Sequence, residues 1–225
     1  MQSFVENLRL VRYPLNLMGM KMGRNVSVIR LNSGKLIIHS TAPFSKADLE
    51  ELRQWGTPTW LVEATNFHDT LALKGVAALP DLPYLVPPGF PLTDKLKGQP
   101  LDSPPTEWGD EVKVIRIDGM PKINEFAFFH AESQSLIVAD LLFNIPESAG
   151  AFTHGFLRLI SGIKSHPGNS RMFRFMIKDR DAFEESLRHI LELDFERIIV
   201  AHGEPIEVEA KETLRIIFRK LGFAV

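Results

Sequence analysis

Apolar and polar residues alternate through Val26-Ser27-Val28-Ile29-Arg30-Leu31, the pattern of a β-strand with two different faces. Asn32-Ser33-Gly34-Lys35 supplies turn chemistry, and Leu36-Ile37-Ile38-His39-Ser40-Thr41 reads as the returning strand of a hairpin. Upstream, Leu8 to Leu17 reads as an edge strand interrupted by Pro14. The connection Met18-Gly19-Met20-Lys21-Met22-Gly23 follows, with thioethers suited to a pocket wall or, more simply, to a core edge or a mobile loop. After Pro43 the period changes. Ser45 is an N-cap with Asp48 at N3, and Leu49, Leu52 and Trp55 recur at helical spacing up to Gly56. Pro58 restarts the chain into a strand over Thr59–Ala64.

The remainder alternates between the two periods. Leu71 to Leu79 reads as a short helix, and Tyr84-Leu85-Val86 as a short strand among Pro80, Pro83, Pro87, Pro88 and Pro91. Residues 93–110 are polar and rich in Pro and Gly, and are expected as a surface loop. Val112–Ile117 alternates again, Asp118–Pro121 is a turn, and Glu125–His130 is a strand with Phe126, Phe128 and His130 on one side. A hairpin connection leads into Leu136–Asp140. Phe152, Phe156, Leu157, Ile160 and Ile163 fit an amphipathic helix, Asp181–Leu193 a second, and Glu209–Leu221 a terminal helix ending at Gly222. Ile198–Val200 reads as a buried strand. A hairpin-rich first half and a βα-type second half predict an α+β protein whose sheets are covered by helices.

Three apolar runs end in polar side chains able to bind metal. They are Leu61-Val62-Glu63-Ala64-Thr65-Asn66-Phe67-His68-Asp69-Thr70, Leu136-Ile137-Val138-Ala139-Asp140 and Ile198-Ile199-Val200-Ala201-His202-Gly203. Three strand ends of this kind predict convergence on one site. The 225 residues contain no cysteine, so a disulfide, a thiolate ligand and a cysteine nucleophile are all excluded. Any metal must be held by imidazole and carboxylate. The 26 basic and 28 acidic residues leave a net charge of −2, which gives no electrostatic reason to expect a nucleic acid or an anionic membrane as partner. Met1–Asn7 lacks a basic segment followed by an apolar core, and no apolar run approaches the ~20 residues of a membrane span. A cytoplasmic location is the expectation.

The order of segments resembles the metallo-β-lactamase fold superfamily over roughly residues 25–208. The opening hairpin, helix, strand and Thr65–Thr70 resemble that family's first half. "GMPKINEFAFFHAESQSLIVADLLF" is similar to the segment carrying its third and fourth motifs, and "FERIIVAHGEPI" to its last histidine motif. "LIIHS" and "ATNFHD" look most like a poorly characterised branch. The resemblance implies a four-layer αββα sandwich, with residues 1–225 forming one domain and residues 144–180 capping the site. It also exposes losses. The four ligand places of the family's His-x-His-x-Asp-His motif fall on Asn66, His68, Thr70 and Leu71, and the third-motif histidine falls on Met120. Asp140 and His202 match the fourth and last motifs, and His39 stands where an acidic residue is expected.

His68, Asp140 and His202 are therefore the expected metal ligands, sufficient in number for one zinc or iron ion with an open position. The usual two-zinc arrangement is excluded by the losses. Such a metal would activate water against an ester, amide or phosphoester. The competing reading is a metal-free cleft in which both histidines hydrogen-bond Asp140 and which binds a small molecule. Asp69 or His39 would be the catalytic proton acceptor; Asp69 as a helix cap and His39 as a buried hydrogen-bonded histidine are the simpler readings. Glu125 and His130 lie on opposite strand faces, so at most one serves the site. His154, His166 and His189 are expected at the surface. The run Lys164, Arg171, Arg174, Lys178 and Arg180, interleaved with Phe173 and Phe175, reads as a solvated face or a clamp for an anion, since Asp179, Asp181, Glu184 and Glu185 follow at once. No serine nucleophile elbow, P-loop or dinucleotide glycine pattern is present.

Overall fold

The computed structural model describes residues 1–161 and 167–225. The strands are β1 (Gln2–Val5), β2 (Leu8–Tyr13), β3 (Asn16–Leu17), β4 (Met20–Lys21), β5 (Arg24–Arg30), β6 (Lys35–His39), β7 (Thr57–Val62), β8 (Tyr84–Val86), β9 (Gln99–Pro100), β10 (Val112–Arg116), β11 (Phe126–His130), β12 (Ser135–Val138) and β13 (Arg197–Val200). The helices are α1 (Lys46–Trp55), α2 (Ala72–Ala78), α3 (Thr93–Leu96), α4 (Ala151–Phe156), α5 (Arg171–Met176), α6 (Arg180–Glu192) and α7 (Ala210–Lys220). The first sheet has the order β1-β2-β5-β6-β7-β8-β9, and the second the order β10-β11-β12-β13.

Alternation on the central strands builds the layers. Ile29, Ile37, Trp60 and Val62 of the first sheet meet Phe126, Phe128, Ile137 and Ile199 of the second in one apolar core. The residues between them point the other way. Val28, Leu36, Ile38 and Leu61 pack under Leu52 of α1 and Ala72 of α2. Leu136, Val138, Ile198 and Val200 pack under Leu187 and Ile190 of α6 and Leu214 and Phe218 of α7. Both faces of each central strand are thus buried, which is why these runs read as nearly continuous apolar segments. The result is a four-layer αββα sandwich. Each fully buried Leu, Ile or Phe contributes roughly 1.5–3 kcal/mol of transfer free energy, so a one-residue slip of any central strand is heavily penalised.

Several elements differ from the sequence expectation. Leu8 to Leu17 is not an edge strand: β2 is flanked by β1 and β5, and Pro14 ends it before the small β3–β4 hairpin. Residues 93–110 carry α3, β9 and a 3₁₀ turn at Thr106–Trp108, and they place Leu101 and Trp108 in the core between the sheets. The segment is polar on average, yet two large apolar residues suffice to anchor it. The expected helix around Phe152 is shorter, with α4 passing into a π turn at Leu157–Ser161, and Phe152 is exposed. Ile163, Lys164 and His166 lie outside the described residues. Among those described, no helix is long and apolar enough to cross a membrane.

Candidate metal centre

The parallel strands β6 and β7 end together at one edge of the first sheet, with His39 paired to Val62. In the second sheet β12 and β13 run parallel, with Val138 paired to Val200. The residues just past these ends are Glu63 to His68, Asp140 and His202. His68, Asp140 and His202 each offer a ligand atom, and these atoms lie within 4.8 Å of one another. A zinc ion with bonds of about 2.0–2.1 Å would hold tetrahedral donors about 3.4 Å apart, so the three are assembled close to a closed set.

Each donor is oriented from behind. His202 donates from Nδ1 to the Gly23 carbonyl at 2.7 Å, which leaves Nε2 as the nitrogen with the lone pair. Its ring stacks on Phe143 at 5.6 Å with an interplanar angle of 7°. His68 has Nδ1 3.5 Å from Glu63 Oε2 and Nε2 3.7 Å from Asp140 Oδ1, and neither nitrogen has a hydrogen-bond partner despite full burial. Thr65 Oγ1 donates to Asp140 Oδ2 at 3.2 Å, so the other carboxylate oxygen faces His68.

Two buried carboxylates, Glu63 and Glu125, hold this arrangement. Glu63 is fully buried and accepts from Thr41 N at 2.6 Å, from Thr41 Oγ1 and from Ser40 Oγ at 3.2 Å. Arg24, 2% exposed, lies 3.7 Å from it and donates to Ser40 Oγ at 2.7 Å. Ser40 delivers these contacts from φ +87°, a region costly for a side chain with a Cβ and concentrated at functional sites. Glu125 accepts from the backbone N–H groups of Ala139, Asp140 and Leu141 at 2.8, 3.1 and 3.2 Å, and so fixes the turn that presents Asp140. The signal for Glu63 was in the chain: an acid inside the apolar run Leu61–Ala64 must find partners there. Arg24, just before an alternating strand, gave no such signal.

Charge is nearly balanced without an ion. Burial would raise the Asp140 pKa, but His68 and His202 pull it down to about 2. Burial and Arg24 oppose charge on His68, yet Asp140 and Glu63 outweigh them and hold its pKa above the ordinary histidine value. Burial, Arg24 and His68 depress His202 to about 3, and burial depresses His39 to about 4. Burial and Asp140 push Glu125 up to about 8, against the pull of its backbone donors. Arg24, and a His68 ring whose protonated form Asp140 and Glu63 favour, thus face Glu63 and Asp140, while His202 and His39 are held neutral.

The donor set still fits one metal ion, because the buried Nε2 of His68 makes no hydrogen bond among the described residues and His202 presents a neutral nitrogen. A metal would have to displace the His68 proton. The lost ligand places are structural instead. Met120 is packed in the core beside Phe183, Leu71 is buried, Asn66 donates to the Pro88 carbonyl at 3.3 Å, and Thr70 is exposed. Around Asp140, residues Phe67, Ile123, Phe143, Met172 and Phe173 with Ser170 leave a cavity of only about 20 Å³, room for about one water.

The remaining candidates fall in different places. Asp69 is half-buried at the start of the 3₁₀ turn Asp69–Leu71, and neither that turn nor α2 has a side-chain cap, so its helix-cap reading is not met. His39 is buried with its ring edge-on to Phe128 at 4.8 Å and Nε2 unpartnered. His130 sits at the opposite end of β11 from Glu125, bonded to Ser133 Oγ at 2.7 Å. His154 is half-buried against the Pro146 carbonyl at 3.0 Å, whereas His189 is exposed beside Glu185. Met20 and Met22 pack against Ile145 and Leu157, while Met18 is exposed.

Two covered, mixed sheets with a His/Asp cluster past the strand ends make an αββα sandwich. Solved structures narrow this: the chain has the metallo-β-lactamase fold. It is similar to DIM-1 metallo-β-lactamase at 16% identity, with a TM-score of 0.63 over 98% of this chain and 96% of the other. A metallo-β-lactamase from Erythrobacter litoralis gives 14%, 0.63, 96% and 94%. FIM-1 from Pseudomonas aeruginosa, in its mono-zinc form, gives 11%, 0.62, 98% and 94%. No protein-family model and no curated protein sequence matches the chain.

Proposed function

We infer that the protein is a metallo-β-lactamase-like hydrolase with one metal ion, zinc or iron, held by His68, Asp140 and His202. The observation that carries this is the paired orientation of the histidines: the Gly23 carbonyl fixes Nδ1 of His202 and Glu63 faces Nδ1 of His68, so both Nε2 atoms remain for a ligand. That FIM-1 has a mono-zinc form supports one ion as a sufficient occupant of this fold. When bound, the metal supplies an activated water and polarises a carbonyl or phosphoryl oxygen. Glu63 and Thr65 keep the ligands aimed, and His68 and then Arg24 hold the Glu63 pKa down against its burial. Asp69 is the better proton acceptor, since it reaches solvent, whereas His39 is sealed against Phe128. The substrate is a small molecule with an ester, amide or phosphoester bond.

A second reading has its own support. Arg24, and the proton that Asp140 and Glu63 favour on His68, offset the charge of Glu63 and Asp140, which suits a metal-free protein that binds a small ligand. Metal analysis of protein purified without chelator, with thermal unfolding before and after added zinc, separates the two. The hydrolase reading expects about one equivalent of metal and a raised midpoint, both lost in H202A. Less than about a tenth of an equivalent, with no stabilisation by zinc, overturns it.

A further inference from the structure

Met172 and Phe173 of α5 line the small cavity beside Asp140, whereas Arg171, Arg174, Phe175, Arg180 and Leu221 line a separate, open cleft of about 420 Å³. That volume lies within the range of small-ligand sites. Among the described residues, no acidic one lines it. Arg171 has no ion-pair or hydrogen-bond partner among the described residues, and Nε of Arg174 is shielded from solvent without one. Arg180 is already oriented, donating to the Gly222 carbonyl at 3.2 Å and lying 4.1 Å over the Phe223 ring. Phe175 is 78% exposed, a large apolar surface beside three guanidinium groups.

Arginines kept merely for solubility keep their nitrogens in water, and a donor hidden from water without a partner costs free energy. An anion removes that cost. Guanidinium groups bind phosphate through paired N–H bonds, and two groups without acidic partners match the double charge of a phosphomonoester. Phe175 offers a flat apolar face for a ring. A nucleic-acid strand fits poorly, because Asp179 and Asp181 flank the cavity in the chain and the net charge is −2. We propose that this cavity is a binding site for a small phosphomonoester bearing a flat ring, with Arg171 and Arg174 holding the phosphate and Phe175 the ring. It is separate from the strand-end centre and does not depend on metal there.

The test is calorimetric titration of the full chain with adenosine monophosphate, adenosine and inorganic phosphate. The expected result is that the monophosphate binds at least about tenfold more tightly than phosphate, while adenosine shows no binding. R171A, and R171A combined with R174A, weaken the monophosphate by about tenfold or more at an unchanged unfolding midpoint, and F175A brings it to the level of phosphate. Adenosine binding as tightly as the monophosphate, or monophosphate binding that survives both arginine variants, overturns the proposal. Binding abolished by H202A would place the ligand at the strand-end centre and also overturn it. So would the absence of monophosphate binding.

Discussion

The rings of His68 and His202 stand edge to face, with centroids 5.3 Å apart and planes at 82°. They arrive from different sheets, one after β7 and the other after β13, and each has its Nδ1 side turned to a fixed acceptor. For His68 that acceptor is the buried Glu63 carboxylate, which receives N–H and O–H donors from Thr41 and Ser40. Replacing it with the neutral isostere, E63Q, removes the charge that aims His68. Partners of this kind are worth about 10–100-fold in metal affinity. E63Q is therefore expected to weaken zinc by that factor, measured by competition with a chromophoric chelator, while the metal-free fold persists. Unchanged affinity would mean Glu63 serves Arg24 alone.

Gly203 is a second constraint on His202. Its φ is +103°, and a Cβ there would lie 2.0 Å from the Asn144 carbonyl oxygen, a backbone atom that cannot swing aside. Asn144 pairs with this corner through Asn144 N to His202 O at 3.2 Å and Glu204 N to Asn144 O at 2.8 Å. G203A must break that pairing or strain the backbone. We expect a loss of roughly 2–4 kcal/mol in urea unfolding, from left-handed strain and broken hydrogen bonds together. G34A, at a left-handed position with nothing within 4 Å of the added Cβ, is the control and is expected to cost about 1 kcal/mol.

The order of central strands and helices was legible because each strand is buried on both faces and each helix on one, and both patterns survive in the residue types. His68, Asp140 and His202 were legible as strand-end polar residues, and the structure brings them together. What the pattern hid is what long-range packing decides. β1, the β3–β4 hairpin and β9 are short and carry no period. Arg24 and Glu63 are neighbours only because β5, β6 and β7 lie side by side. Glu125 accepts backbone N–H groups from the turn after β12, and sequence contains no trace of such partners.

Glu125 leads to a third expectation. E125A leaves two buried N–H groups and one part-buried one without acceptors, and each unsatisfied buried donor costs about 1–3 kcal/mol. The turn has room to relax only in part, so a total of about 3–5 kcal/mol is expected. E125Q keeps one acceptor oxygen, able to serve Ala139 and Leu141 as Oε1 does now, and loses the bond to Asp140 N. It should fall between the wild type and E125A in denaturant unfolding. If E125A unfolds at the wild-type midpoint, Glu125 does not hold the Asp140 turn.

The metal-free protein should also lose stability in mild acid, and the histidines set the window. His39 and His202 are buried and neutral, with pKa depressed to about 4 and about 3. Unfolded, each titrates near 6.5. Between these values the unfolded chain binds protons that the folded chain refuses, so stability is full above about 6.5 and falls as pH drops toward 4 and then 3. At pH 5 each histidine costs about 2 kcal/mol relative to pH 7. His68 acts in the opposite sense: its raised pKa adds stability that is complete below about 6.5 and disappears as pH rises through the folded value. A maximum near neutral pH results. Glu125, raised to about 8, also loses stability as pH rises from its ordinary carboxyl range toward 8. Urea unfolding at intervals from pH 4.5 to 8 tests this, with H39N expected to lower the number of protons taken up on the acid side by about one, and H68N to lessen the alkaline decline without removing the part due to Glu125. A flat profile across the acid limb would show that the two rings are not held neutral, and with them the idea that His202 stands ready with a free nitrogen would fail.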